Sequence, residues 1–354
     1  MLIGQILEVN LNESDNMKTL IASEFVDESN TGYCIKRAFD ELGHETKVFD
    51  IAEKKFEKLG YKEIGIGNKG KSFISAGVGI IRKNRAILKE VKKDRPEMLL
   101  IFKGKIILPK TIQKIRDMGI KTVLWHPDPR YEIQDWVYKR AIVSDYFFHI
   151  SSGCVEQYKE KGVNAYWLSE GCDPTIHKPI KLNKDEKEYY GSDISFSGHY
   201  TEDRERFLKS IINAGIDLNI WHHMWKDIIP DYKGCIGKWL TTEEFCKMCN
   251  ASKIVLGNDR WPEMEKSMSM RAFMVMGCGG FLLTNHTKNI EEMFIPGKHL
   301  DVYENERNCV EKIKYYLENE RERIRIEKAG HKEVYKNHTF VKRIEKMMSI
   351  VFGS

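Results

Sequence analysis

The chain has 354 residues, 42% of them apolar and 31% charged, with a net charge of +5 at pH 7. That balance excludes disordered and collagen-like classes and leaves room for two ordinary domains, each with its own core. No apolar run approaches the roughly 18 residues of a membrane-spanning helix, and the mild positive charge permits an anionic ligand, or a weak membrane-surface or nucleic-acid contact, without requiring one.

The opening MLIGQILEVNLNESDNMK lacks a basic stretch ahead of its apolar residues, so no secretory signal is expected and the chain is assigned to the cytoplasm. Residues 1–16 read as an extra edge strand or a leader. KTLIASEF then reads as a strand and Asn30 or Thr31 as the cap of a helix that Gly43 stops, before a second strand ends at Asp50. No GxGxxG occurs here, which argues against a dehydrogenase-type dinucleotide site, although Asp50 stands where a ribose-binding acid would. Residues 51–95 are lysine-rich and helical, interrupted by the glycine-rich loop GYKEIGIGNKGKSFISAGVGI, which matches no Walker motif. Strands over 98–103, 122–125, 146–150 and 165–168 alternate with helices, the pattern of a parallel sheet covered on both faces.

Glu170-Gly171-Cys172-Asp173-Pro174 and the charged stretch to Tyr190 break the alternation, so the domain boundary falls here: residues 1–172 and 173–354. A second alternation follows, with strands over 193–197, 217–221 and 235–236 and an aromatic loop containing His222, His223 and Trp225. The last third reads as helical. Two α/β domains in series leave a cleft between their strand ends, where ligands of open sheets bind.

Residues 254–286, IVLGNDRWPEMEKSMSMRAFMVMGCGGFLLTNH, read as strand, loop, helix (Lys266–Met276), glycine turn and strand. The helix start carries Ser267, Ser269 and Arg271. Free backbone N–H groups, hydroxyls and a guanidinium suit a phosphate or pyrophosphate there; the same unit also serves for packing alone.

The eight cysteines show no framework spacing and read as small buried hydrophobes. Cys246-x2-Cys249 lies within a helical pattern with no second such pair, so no metal site is expected. Asp128, after a strand and flanked by prolines, reads as a carboxylate for sugar or acceptor, or as a turn-forming residue. His126 beside it reads as a hydrogen-bonding group or a base at the cleft. Asn258-Asp259-Arg260 leave a strand at the ligand end, as a turn or for sugar recognition. His222 and His223 read as pocket lining or surface, and Glu263 and Glu265 as solvated loop. The lysine-rich stretches 82–95 and 321–346 read as solvated helix faces.

Four stretches carry a family resemblance: KTVLWHPDPR; SDYFFHISSGCVEQYKEKGVNAYWLSEGCDPTIHKP; ISFSGHYTEDRERFL; and the pair SMRAFMVMGCGGFLLT with IEKAGHKEVYKNHTF. Together they resemble the CgeB-type (spore-maturation) glycosyltransferase-like family, of the GT-B class, over most of residues 18–345. The resemblance implies two Rossmann-like domains with parallel sheets facing a central cleft, and a C-terminal helical segment that can pack back on the N-terminal domain. It implies a UDP- or GDP-sugar held by the C-terminal domain as substrate, with no tightly bound cofactor and no metal, and a hydroxyl acceptor (glycan, protein or modified nucleic acid) on the N-terminal side. The pyrophosphate would lie near Ser267, Ser269 and Arg271, with Asn258 and Asp259 close by, Gly198 and Arg204 as the opposite wall and Gly32 approaching from the N-terminal domain; His126 and Asp128 would serve the chemistry. The implied reaction is retaining hexosyl transfer. Met274 departs from the family, standing where a glutamate holds the ribose hydroxyls, a contact methionine cannot accept. That departure keeps two other readings open, a catalytically degenerate GT-B carbohydrate- or partner-binding protein and a sugar-nucleotide epimerase.

Overall fold

Met98-Leu99-Leu100-Ile101-Phe102 contains no polar side chain and is buried on both faces, as a central strand of a covered parallel sheet must be. Around it the computed structural model, which describes residues 16–25, 30–52 and 69–353, builds a six-stranded parallel sheet. Its strands are β1 (Lys18–Ser23), β2 (Glu45–Asp50), β3 (Met98–Phe102), β4 (Lys121–His126), β5 (Tyr146–His149) and β6 (Ala165–Trp167), in the order β2-β1-β3-β4-β5-β6. The connecting helices are α1 (Thr31–Glu41), α2 (Lys69–Asp94), α3 (Pro109–Arg116), α4 (Asp135–Ala141) and α5 (Ser152–Glu160). Side chains alternate between faces: Leu99 and Ile101 join one core layer, Met98, Leu100 and Phe102 the other.

After α6 (Lys184–Tyr190), a second six-stranded parallel sheet has the order β12-β11-β10-β7-β8-β9. Its strands are β7 (Ser192–Ser197), β8 (Leu218–Trp221), β9 (Cys235–Ile236), β10 (Ser252–Leu256), β11 (Leu282–Asn285) and β12 (Asp301–Tyr303), and its helices α7 (Glu202–Asn213), α8 (His223–Ile228), α9 (Thr242–Ala251) and α10 (Met270–Gly277). The chain ends in α11 (Glu306–Glu318), α12 (Glu320–Asn337) and α13 (Phe340–Phe352). In each sheet the strand order reverses once, between β1 and β3 and between β7 and β10, and such reversals open a crevice at the carboxyl ends of the strands.

Several expectations change. The glycine-rich run is not a loop from residue 69 onward, because α2 starts at Lys69; residues 60–68 of that run, like the proposed edge strand or leader over 1–15, lie outside the described residues. The charged stretch before Tyr190 forms α6, where the Asn183 side chain accepts from the Glu186 amide and Glu186 reaches back to the Asn183 amide. The last third is not wholly helical, since Asp301–Tyr303 pairs with β11. The helix expected over 266–276 begins at Met270, with Ser269 as its cap residue. Seven cysteines are buried, as expected of small hydrophobes, and Cys235 is half-buried.

The terminal helix α13 crosses back to the first sheet, where Phe340, Ile344, Met347 and Val351 pack with Phe39 of α1 and Trp125 of β4. The crossing is pinned where Cys172 donates its amide to the His338 carbonyl (2.9 Å) and accepts from the Phe340 amide (2.9 Å). A Cβ on Gly171 would stand 2.7 Å from the His338 carbonyl oxygen and 2.9 Å from the Thr339 carbonyl carbon. Neither backbone atom can rotate away, so Gly171→Ala should cost about 1–3 kcal/mol, read as a lower midpoint in denaturant unfolding.

Candidate functional site

The start of α10, from the second sheet, meets the strand-order reversal of the first, where the Thr31 hydroxyl donates to Met270 Sδ (3.6 Å). On the first sheet, Ser23 and Glu24 after β1, Asn30 and Thr31 at the start of α1, Phe102 and Lys103 after β3, Pro127 and Asp128 after β4, and Glu170 line a cavity of about 150 Å³. Asn30 caps α1 by accepting from the Gly32 amide (3.0 Å). Gly32 packs inward: a Cβ there would meet Ser23, Glu24 and Phe25 at 2.8–2.9 Å, so its bare backbone lets α1 lie against the end of β1. Asp128 is exposed at the rim, 3.7 Å from the Lys103 ammonium. The Asp50 carboxylate accepts from the Phe25 and Ala52 amides at the end of β2 (3.2 and 2.8 Å).

His126 is not in the open cleft. Its ring is 1% exposed, edge-on to Trp136 and beside His149, and burial with the nearby cations Lys103 and Arg130 lowers its pKa to about 3. Hydrophobic β4 carries the residue down with it, so the imidazole is neutral yet sequestered from any acceptor in the cleft.

On the second sheet the site is built around two guanidiniums. Arg204, in the first turn of α7, donates from Nη2 to the Asn258 carbonyl (2.7 Å) and from Nη1 to the His199 carbonyl (3.0 Å), bridging the ends of β7 and β10. Asn258 donates to the Tyr303 hydroxyl (3.2 Å), which itself donates to the Gly257 carbonyl (2.9 Å). Gly198 accepts from the Trp225 indole (2.8 Å), and a Cβ on it would lie 2.8 Å from the Phe196 ring. Arg271, in the first turn of α10, is held down to a pKa of about 10 by burial and by the like charge of Arg204, against the pull of Asp259. Two cations with one carboxylate between them leave a net positive charge suited to an anion.

The start of α10 displays the same preference. The Ser269 amide donates to Asp259 (3.4 Å), whose pKa is raised by burial and opposed by its bonds to Ser269. The Met270 amide stands close enough to the Glu170 carboxyl to oppose the rise of its pKa. Two carboxyls of the chain thus point at one helix N-terminus, where backbone donors and the helix dipole favour negative charge. Ser267 is buried in the turn before the helix, and Met274 lies on α10 half-buried against the core of the second domain. Glu265 pairs with Lys288 (2.7 Å) and its carbonyl accepts from the Ser152 amide (3.0 Å), tying the 257–269 loop across the cleft. Trp261 of that loop meets Tyr131 at 4.8 Å, flanked by Arg130 and Arg260.

Beyond Arg271 stand His199, His222 and Trp239. Their rings lie 4.6 Å (His199–His222) and 4.8 Å (His222–Trp239) apart, and the indole is 58% exposed. Burial, then His199, His223 and Arg271, lowers the His222 pKa to about 4. Its Nδ1 accepts from the Met224 amide (3.3 Å), which leaves the proton on Nε2; that atom is buried and has no hydrogen-bond partner among the described residues. The expected aromatic loop is therefore partly a short helix, α8, whose start presents a neutral imidazole.

Glu170 escaped the sequence reading. Its carboxyl is 7% exposed and burial, with Asp128 adding to it and Lys103 opposing, pushes its pKa up to about 8. Nothing in Ser169-Glu170-Gly171 signals this, because the residues that enclose it come from α10 and from the far side of the cavity.

A family model described as "Glycosyl transferase-like" matches residues 204–349, less than half of the chain. No curated protein matches the sequence. Among solved structures, the chain resembles a glycosyltransferase from Rickettsia africae ESF-5 (12% identity, 95% of this chain and 98% of that one, TM-score 0.66). It resembles the sucrose-phosphate synthase of Thermosynechococcus elongatus at 9% identity, with 95% and 99% covered and a TM-score of 0.67. It also resembles Anabaena HepE in complex with UDP and glucose at 9% identity, with 96% and 100% covered and a TM-score of 0.63. The chain therefore has the GT-B fold, two parallel α/β sheets with a helical C-terminal segment.

The raised pKa of Glu170 makes stability depend on pH in a defined sense. From the ordinary carboxyl range up to about 8 the folded chain holds a proton that the unfolded chain has released. Stability from this group is full below the ordinary range and is lost as pH rises through that window, by up to about 1.4 kcal/mol per pH unit. Glu170→Gln should lack that loss, so its melting temperature should gain on the native chain between pH 5 and 8 and gain no further above; parallel melting curves across that range would refute the assignment.

Proposed function

We propose that the protein is a glycosyltransferase that moves a sugar from a nucleoside diphosphate sugar to a hydroxyl acceptor, and that it is of the CgeB type within the GT-B class. The observation that carries this reading is the meeting of Arg204, Arg271 and the start of α10 at the strand-order reversal of the second sheet. A departing nucleoside diphosphate gathers negative charge, and fixed cations with backbone donors stabilise it without a metal. In this reading residues 173–354 hold the donor, with Ser267 and Ser269 in the turn that shapes its phosphate site and Asn258, Asp259 and Gly198 setting the walls. Residues 1–172 present the acceptor, with Asp128 at the rim of the cavity. The retaining course and the choice between UDP and GDP belong to the same proposal, as does cytoplasmic action. His126 acts by shaping the floor beneath Asp128. No helix among the described residues is long and apolar enough to cross a membrane.

Thermal-shift measurements with UDP-, GDP- and CMP-sugars test the reading; absence of stabilisation by all of them at millimolar concentration would overturn it. Arg271→Ala should weaken nucleotide binding by about 10- to 100-fold, the loss expected for a charge-assisted contact of about 1.5–3 kcal/mol. Unchanged affinity in a folded variant would remove Arg271 from the site.

Met274 favours a second reading, a GT-B protein that binds a carbohydrate or partner without turnover, since the ribose-holding carboxylate is replaced by a thioether. Release of free sugar or transfer product from any donor would exclude it, and product analysis without acceptor separates transfer from epimerisation.

A further inference from the structure

We infer that Glu170 is a ligand-binding residue that serves as a neutral acid, donating its carboxyl proton in a hydrogen bond to a phosphate oxygen of the nucleotide at the start of α10. The inference rests on the nucleotide-sugar reading and adds to it a proton that the bound state requires.

The geometry is specific. Glu170 lies in the hinge segment between the two sheets, and its carboxyl both lines the cavity of the first sheet and contacts the Met270 amide of the second. Its own backbone cannot drift, because Arg343 of α13 donates from Nε to the carbonyls of Ser169 and Glu170, each at 3.0 Å. The charged groups that face it are few. Lys103 after β3 and Asp128 after β4 act on it from across the cavity, Glu24 lines the same cavity after β1, and Arg343 stands behind its carbonyl. Asp259 and Arg271 occupy the other side of the α10 start. None of these groups is recorded as an ion-pair partner of its carboxyl, and burial favours the protonated form.

A carboxylate at this place would repel a phosphate; a carboxylic acid has an O–H to give it. Bringing a diphosphate to the same helix start adds negative charge nearby and strengthens the hold on the proton. With the Met270 amide near the carboxyl and the cavity on its other side, the acid proton has the ligand space to point into. Lys103 and Asp128 offset each other across the cavity, so neither reverses this preference.

The test is the affinity of UDP and GDP for the full-length native chain, Glu170→Gln and Glu170→Ala between pH 6.5 and 9.5, followed by calorimetry and by thermal shift relative to each unliganded protein. The native chain should lose affinity above about pH 8, approaching 10-fold per pH unit. Glu170→Gln, which keeps a donor and carries no charge, should bind with little change over that range. Glu170→Ala should bind about 10-fold more weakly than Glu170→Gln throughout. Identical pH profiles for native chain and Glu170→Gln, or native-like binding by Glu170→Ala, would overturn the inference while leaving the nucleotide reading intact. Failure of the native chain to bind either nucleotide at any pH would overturn both.

Discussion

The guanidinium of Arg343 fastens the two halves of the molecule. It is largely buried and spends its donors on the carbonyls of Ser169, Glu170 and Asn337 and on His338 Nδ1. Burial lowers its pKa to about 10, so the residue remains cationic at neutral pH. Four uncharged acceptors can hold a buried guanidinium because each charge-assisted bond is roughly twice as strong as a neutral one. The neutral His338, its pKa depressed to about 4 chiefly by burial, completes the set without adding a second charge. The outward strand of the hinge and the return of the chain are thereby locked at one point, and Gly171 leaves the room in which they touch.

That lock determines what the cleft can be. With α13 laid on the first sheet, the hinge at Ser169–Cys172 is held from behind and the start of α10 meets it from the front. Asp128, Lys103 and Glu170 then line the cavity at the first sheet's reversal, while Arg204 and Arg271 stand at that of the second. The 257–269 loop adds a second tie, through the Glu265 carbonyl and Trp261.

The alternation of strand and helix was legible because the central strands are short unbroken apolar runs and their helices carry an apolar stripe. β3 and β4 are of this kind, as is β10. β12 was not, since three residues after a turn carry no period, and their pairing with β11 is a tertiary event. The glycines after residue 69 argued for a loop, yet the helix holds because Ile87 and Val91 anchor its later turns in the core. α6 did have a readable signal, the Asn183 and Glu186 spacing of a capping box. At the site, Arg271 could be named from its place at a helix start, and Arg204 only from the family resemblance. Burial could not: it hides His126, silences His222 and protonates Glu170, and in each case the enclosing atoms come from distant segments.

The charge pattern of the second sheet bears on selectivity. Arg204 already depresses Arg271, so a third cation beside them would be costly, and the histidines next in line are neutral. A neutral imidazole still donates. At His222 that Nε2–H is buried without a partner among the described residues, so what remains accessible there is the exposed face of Trp239 beside it. Fixed charge at the α10 start suits any phosphate group alike, whereas an exposed indole face selects by shape. Met274, where the resemblance implies a glutamate, adds no carboxylate to this pattern and packs on the core instead. The second sheet thus sets a cationic end at the start of α10 apart from a neutral aromatic end at Trp239.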